Sequence, residues 1–447
     1  MLLRYGCENF RSISEYQEIL LTAEQDQDNS ESSLITNEGF RGQLLPIIEI
    51  YGGNGSGKTN LLLTLRYIIN KVLNSAHGDT DKISVPKFKL DKECKVKAST
   101  FDIDFICNKK HYHYGFSIKD NIVAEEWLYQ ISYGSRKSTT TLFYRDIDAE
   151  EEFAFGKALK GNNKNIASVT GKGCLFLSMA AKSEHQLLSE IFKYFEDSYE
   201  FRFNVELNEL NIGESMFKHN VKSQISKFLS LVDVGAVEVD VKEKEFDEKQ
   251  ITIFKSIGGM MNDVLKTLGN EANMNPESFS ELIEGAKEYQ ITVFRKDSDG
   301  ETVPFSFSQE SLGTRALISF LASAFQVLRN GGVFIVDEVE SSLHTLLTLK
   351  IVELFSNKKS NPNNAQLLFS THETQLMNFE GVRRDEIWLA EKCQNGSTKV
   401  ASLLEYSIDK RSNWRKGYIE GRFGAIPILG YIDEFNLFGD HDASKEA

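Results

Sequence analysis

Gly52-Gly53-Asn54-Gly55-Ser56-Gly57-Lys58-Thr59 is the stretch that decides how this chain is read. It satisfies the pattern G-x-x-x-x-G-K-[ST], in which glycines let the backbone curl until successive N–H groups converge on one point. Lys58 brings a cation to β- and γ-phosphate oxygens, and the Thr59 hydroxyl can hold Mg2+. The flanks agree. The β-rich apolar run Leu44–Tyr51 precedes the loop, and Leu61, Leu62, Leu65, Ile68, Ile69 and Val72 follow at helical spacing. A helix opening there turns its positive end toward the same phosphates. ATP with Mg2+ is therefore expected on Gly52, Asn54, Gly55, Ser56, Gly57, Lys58, Thr59 and Asn60.

Two further strand ends answer the loop. Val333-Phe334-Ile335-Val336-Asp337-Glu338 is an apolar run closed by two acids. It would bring Asp337 to the metal beside Thr59, and Glu338 to the water attacking the γ-phosphate as general base. Leu367-Leu368-Phe369-Ser370-Thr371-His372 is a second apolar strand, whose spacing places His372 on the same sheet edge as Glu338. Lys58, Glu338 and His372 are the expected catalytic residues, and Thr59 and Asp337 the expected metal ligands.

Outward from these motifs, Leu2–Phe10 reads as a strand entering a turn, and the polar stretch Glu24–Gly42 as a loop. Residues 98–146 alternate with period two (Phe101, Ile103, Phe105; Tyr112, Tyr114, Phe116 after the Asn108-Lys109-Lys110 turn), which predicts antiparallel hairpins. Lys160–Gly173 reads as a loop and Leu175–Val232 as mainly helical. A strand is expected at Val237–Val241, helices at Phe254–Leu268 and up to Ala286, and a strand at Tyr289–Phe294. The last third alternates: helix Leu312–Leu328 ending at Asn330-Gly331-Gly332, strand Val333–Val336, helix Leu343–Phe355, and strands Gln366–Ser370 and Glu386–Ala390. Such alternation predicts an α/β core.

Composition narrows the class. The charge of −14 disfavours general coating of nucleic acid, and no apolar stretch approaches the ~18 residues needed to span a bilayer. The start at Met1 lacks a signal peptide's apolar region, so a soluble, cytoplasmic protein without membrane partners is expected. Five scattered cysteines without C-x-x-C fit small buried hydrophobes in a reducing compartment rather than disulfides or zinc. His111-Tyr112-His113, two histidines at i, i+2 with no carboxylate expected nearby, reads as a pleated strand surface rather than a metal site. Lys410–Arg422 mixes basic and aromatic residues, which suits a DNA-backbone patch, a partner surface, or a solvated face with one buried aromatic. The polar tail Asp440–Glu446 reads as disordered.

The order Asn9-Phe10-Arg11-Ser12-Ile13, GGNGSGKTN, ESLGTR, VFIVDEVESSLH and LFSTHE resembles the SMC/RecF-like branch of ABC-type ATPases. Arg383–Trp388 and Gly417–Pro427 are similar to prokaryotic anti-phage ATPases: the RloA-like and abortive-infection groups, with the ATPase half of PARIS-type systems and the OLD family as relatives. The resemblance implies an ABC-type head with a mixed sheet core, an antiparallel β subdomain and an inserted mainly helical lobe. It divides the chain into an N-terminal ATPase lobe (1–175), the inserted lobe (176–300) and a C-terminal ATPase lobe (301–447). Glu310-Ser311-Leu312-Gly313-Thr314 stands where these enzymes carry the signature that caps ATP on a partner subunit, so Ser311, Gly313 and Thr314 are implied to act in trans. Ser341 and Ser342 stand at the D-loop. The form E-S-L-G-T departs from the transporter's L-S-G-G-Q, and Gln186 is only a weak match for the lining glutamine.

An ATP-dependent homodimer, or an assembly of such dimers, follows from the resemblance. The 75 residues after His372 are too few for a Toprim nuclease domain, so the expected effector, a nuclease or toxin, is a separate polypeptide. DNA or a phage protein is the expected trigger. Two other readings compete: a RecF/SMC-like DNA-repair or DNA-handling ATPase, weakened by the absence of heptads and by the charge, and a transporter subunit, which E-S-L-G-T disfavours.

Overall fold

The computed structural model describes residues 1–24, 34–77, 80–134, 136–245, 287–379, 381–408 and 413–427. The expected helices at Phe254–Leu268 and before Ala286, and the tail Asp440–Glu446, lie outside the described residues. Two compact units divide the chain: residues 1–197, 335–338 and 366–447 form the first, and 198–334 with 339–365 the second. The cuts fall elsewhere than the expected 175 and 300. Helices Phe176–Lys182 and Gln186–Asp197 belong to the first unit, where Phe195 meets Phe105 and Tyr114.

The first unit carries a seven-stranded antiparallel sheet, in the spatial order Phe153–Phe155, Lys137–Asp146, Ile122–Tyr133, Lys110–Lys119, Ser99–Cys107, Leu2–Glu8, Gln17–Leu20. Its tight hairpins are sequence-encoded. Asn108 and Lys109 (φ 48° and 60°) and Asp120 and Asn121 (φ 52° and 62°) give the two positive φ values of a turn that matches strand twist. The unit's other sheet is mostly parallel. Ile47–Tyr51 lies between Gln366–Ser370 and Ile387–Lys392, both parallel to it, with Thr398–Ser402 antiparallel at the edge. All five residues of Ile47–Tyr51 and of Gln366–Ser370 are buried, which suits strands that are mostly apolar and covered on both faces. Helix Lys58–Asn74 buries Leu61, Leu62, Leu65, Ile68, Ile69 and Val72 on one face.

In the second unit, helices Glu209–Lys218 and Lys222–Leu231 pack on a three-stranded antiparallel sheet, Ala236–Glu245, Lys287–Lys296 and Thr302–Ser306. Helix Leu312–Asn330 stops at Gly331, whose φ of 76° suits a glycine C-cap. Strand Val333–Val336 begins here, beside strand Tyr199–Arg202 through the Val333 N–H to Ser198 O bond, and the chain runs along it into the first unit. Helix Thr345–Ser356 completes the second unit.

This mixed α/β architecture, with a parallel P-loop strand and an antiparallel subdomain, has the mixed sheet core and antiparallel β subdomain expected from the sequence. Among the described residues, several elements depart from the sequence reading, including strand Ile35–Thr36 inside the expected Glu24–Gly42 loop, helix Asn163–Ser168 inside the expected Lys160–Gly173 loop, and strands Tyr199–Arg202, Thr302–Ser306 and Thr398–Ser402. Each is short. Pro304 argues against a strand, yet Thr302–Ser306 is an edge strand, where a missing N–H is tolerated. No helix among the described residues is long and apolar enough to cross a membrane.

Candidate functional site

The P-loop's shape is fixed by backbone first and side chains second. Gly55 and Gly57 have φ of 73° and 104°, and a Cβ on Gly57 would lie 2.0 Å from Thr398 Oγ1. A chain of donors ties the loop down from outside. Asn60 Nδ2 donates to Ser12 Oγ (2.7 Å), the Ser12 hydroxyl meets Thr398 Oγ1 (2.7 Å), and Thr398 Oγ1 donates to Ser56 O (2.8 Å). Thr398 therefore braces the loop from a strand that the sequence reading missed. Ser12 lies in the quoted Asn9–Ile13 motif but carried no assigned role.

The strand ends bring Lys58, Thr59, Asp337, Glu338 and His372 together. Lys58 Nζ donates to Gly52 O at 2.9 Å and lies 2.9 Å from His372 Nε2. An ammonium has only donors, so Nε2 accepts and the imidazole proton sits on Nδ1. Thr59 Oγ1 donates to Asp337 Oδ2 at 2.9 Å, and Ser370 Oγ donates to Asp337 Oδ1. Ser370 Oγ in turn accepts the Glu338 N–H at 2.8 Å. Glu338 takes φ 52°, an uncommon value for a residue with a Cβ, and its side chain is exposed. Ser370 is thus a hinge pin between the two strands, unassigned in the sequence reading although it stands inside LFSTH.

Hydroxyl and carboxylate oxygens side by side suit a hard cation. Thr59 and Asp337 offer what Mg2+ takes from a protein when phosphate oxygens and water fill the rest of its shell. No group of three or more His, Cys, Asp or Glu among the described residues forms a metal cage. His111 and His113 do have a carboxylate neighbour, contrary to the sequence reading: Asp104, across the hairpin, lies 3.0 Å from His111 Nε2 and 2.6 Å from His113 Nδ1, and His111 is buried.

The residues expected to form the signature belong to the second unit. Ser311 caps helix Leu312–Asn330, accepting the Thr314 N–H at 3.2 Å and pairing with Thr314 Oγ1 at 3.0 Å. Ser311 is exposed and Thr314 buried. A Cβ on Gly313 would meet nothing nearer than Ser342 O at 3.7 Å, so nothing in its own unit requires glycine there. Ser341 and Ser342 are exposed beside it, Ser342 with φ 66°. Gln186 starts a helix of the first unit and is exposed.

The described part of the basic–aromatic segment is not a remote patch. Tyr418 is buried with its ring 5.9 Å from that of Tyr51, the residue before the P-loop. Beneath, Glu49 is fully buried. Its Oε2 accepts from Tyr51 OH at 2.7 Å, Oε1 has no hydrogen-bond partner, and burial pushes the carboxyl up to about 7 against the lowering effect of Tyr51. All five cysteines are free thiols.

A family model described as "AAA domain, putative AbiEii toxin, Type IV TA system" matches residues 48–378. No curated protein matches the chain in sequence. Among solved structures, the chain is similar to the SmcHead in its complex with the C-winged helix domain of ScpA: 12% identity, 90% of this chain and 97% of that one covered, TM-score 0.45. It is also similar to the SMC head domain from Thermotoga maritima, at 12% identity, 90% and 98% coverage, and TM-score 0.38.

Proposed function

This chain belongs to the AAA-domain family of the putative AbiEii toxin, Type IV TA system, and on that premise we propose that it is an ATP-hydrolysing switch of a prokaryotic anti-phage defence system. It dimerises on ATP and controls a separate effector, a Toprim-type nuclease or toxin. The observation that carries the ATPase part is one cluster: Lys58 against His372 and Thr59 against Asp337, each at 2.9 Å.

ATP lies with its phosphates on the N–H groups of Gly52–Asn60, and Lys58 neutralises β- and γ-oxygens. Thr59 and Asp337 would hold Mg2+, which would screen phosphate charge when bound. Glu338, its backbone pinned by Ser370, takes a proton from the attacking water as the water oxygen bonds to the γ-phosphorus and the bridging bond to ADP breaks. His372, beside Lys58, contacts the γ-phosphate or the attacking water. Ser311 and Gly313 serve the nucleotide of a second copy: the exposed hydroxyl and the Cβ-free backbone leave a surface on which phosphate can seat, at the end of a long helix. Ser341 and Ser342 line the joint between the two sites.

Glu338→Gln tests the chemistry. Turnover should fall about 100-fold or more while ATP binding survives, because general bases contribute ~10²–10⁴. The variant should also run as a stable dimer in Mg–ATP by light scattering, and recovered from phage-infected cells it should bring the effector with it. Unchanged turnover removes Glu338 from its role. Ser311→Arg should abolish ATP-dependent association yet keep nucleotide binding per subunit; equal loss of both would make the signature a cis element.

A further inference from the structure

Residues 413–427 touch both loops that the proposed reaction uses. On the P-loop side, Tyr418 faces Tyr51, and a Cβ on Gly53 would lie 3.3 Å from Pro427 N, so these two backbones are in direct contact. On the other side, helix Trp414–Ile419 packs on the turn Leu376–Asn378, and Arg415 Nε donates to Thr374 Oγ1 at 3.2 Å, two residues beyond His372.

The segment is built to hold a fixed shape. Asn413 Oδ1 accepts the Lys416 N–H at 2.9 Å, Tyr418 OH donates to Ala425 O at 3.1 Å, and Tyr406 OH donates to Phe423 O at 3.0 Å. Gly421, Gly424 and Ala425 have φ of 74°, 65° and 58°, which fold the chain back on itself. A rigid piece in contact with two loops transmits displacement from one to the other.

We infer that residues 413–427 form a clamp within the subunit that joins the P-loop to the His372 loop, with Arg415 as a positioning residue that holds His372 in register with Lys58 through Thr374. His372 is exposed and stands on a loop, so its place depends on such ties. A misplacement of ~1 Å at a reacting group costs about 10²-fold in rate. This inference rests on the ATPase reading for its kinetic consequence only.

Arg415→Ala should lower kcat about 10- to 100-fold while fluorescent ATP-analogue affinity stays within about threefold and the melting temperature holds. Thr374→Val should reproduce it, the double variant should be no worse, and Thr374→Ser should restore turnover. A merely structural Arg415 would move affinity, kcat and melting together, and wild-type kcat in Arg415→Ala would end the proposal. Hydrogen exchange decides it without turnover. In the native protein a non-hydrolysable ATP analogue should slow exchange in 371–379 and 413–427 together; in Arg415→Ala only the P-loop should stay slowed. Should native protein fail to hydrolyse ATP, the ATPase reading falls and the exchange result still judges the clamp. Persistent slowing of 371–379 in Arg415→Ala overturns it.

Discussion

The first unit assembles carboxylates, cations and histidines twice, and the two assemblies are made in opposite ways. On the antiparallel sheet, Arg4 Nε reaches Asp104 at 3.0 Å and its other nitrogens reach Asp102 (3.2 Å) and Glu18 (3.0 Å). His113 Nε2 accepts from Trp127 Nε1 at 3.0 Å, which leaves the Nδ1 proton for Asp104. Tyr133 OH meets His111 Nδ1 at 2.8 Å. Every one of these groups stands on a regular strand and spends its bonding on neighbours across the sheet. At the P-loop the groups stand on turns at strand ends and on the first turn of helix Lys58–Asn74, with Gly55, Gly57 and Glu338 at positive φ and Asn54, Thr59, Glu338 and His372 exposed. Saturated networks specify a fold; groups placed by backbone strain at a surface are available to a ligand.

The contrast breaks if the sheet network proves catalytic, so its removal is the largest test. Asp104→Ala should cost about 2–3 kcal/mol of stability, because a mostly buried Arg4 loses one of its three carboxylate partners and two imidazoles lose their acceptor. Turnover per folded molecule should not change. The pH dependence follows from the same bonds. Burial alone would raise the Asp104 carboxyl, but the hydrogen bonds from His111 and His113 and the charge of Arg4 overrule it and hold it below the usual range. A depressed folded value means that the contribution is present above about pH 4 and is lost as pH falls further toward the folded value. Urea titrations at pH 7 and pH 3 should therefore differ in the native protein by more than in Asp104→Ala.

The two regions also differ in how far their sequences expose them. Phosphate chemistry demands particular residue types at consecutive positions, so Gly52–Thr59, Asp337-Glu338 and His372 stand out in the sequence. What braces them does not. Thr398 lies 342 residues from Ser56, and strand register alone joins them. Its strand Thr-Lys-Val-Ala-Ser is a polar edge without a pattern of its own. Tyr418 and Pro427 reach the P-loop the same way, through a tertiary fold-back. The Asp104–His113 pair was within reach of counting: the Asn108-Lys109 turn sets Cys107 opposite Lys110, and three steps further Asp104 stands opposite His113. Sequence proximity hid the carboxylate that strand pairing supplies.

Glu49 belongs to neither pattern and gives the smaller, sharper test. It lies on the P-loop strand, fully buried, with Tyr51 OH on one oxygen, and its charge acts on Glu386. Burial lifts both carboxyls, Glu49 to about 7 and Glu386 well above its ordinary range. The sign is opposite to that of Asp104. Between the unfolded value near 4.5 and the folded value near 7 the native state binds more protons, so stability declines as pH rises through that window. Glu49→Gln removes the ionisation but keeps an acceptor for Tyr51 OH. It should gain on the order of 2 kcal/mol at pH 8, discounted from the full shift because Glu386 shares the site, and almost nothing at pH 5. A melting curve equally shifted at both pH values would mean that packing, rather than a buried proton beneath the nucleotide loop, sets the difference.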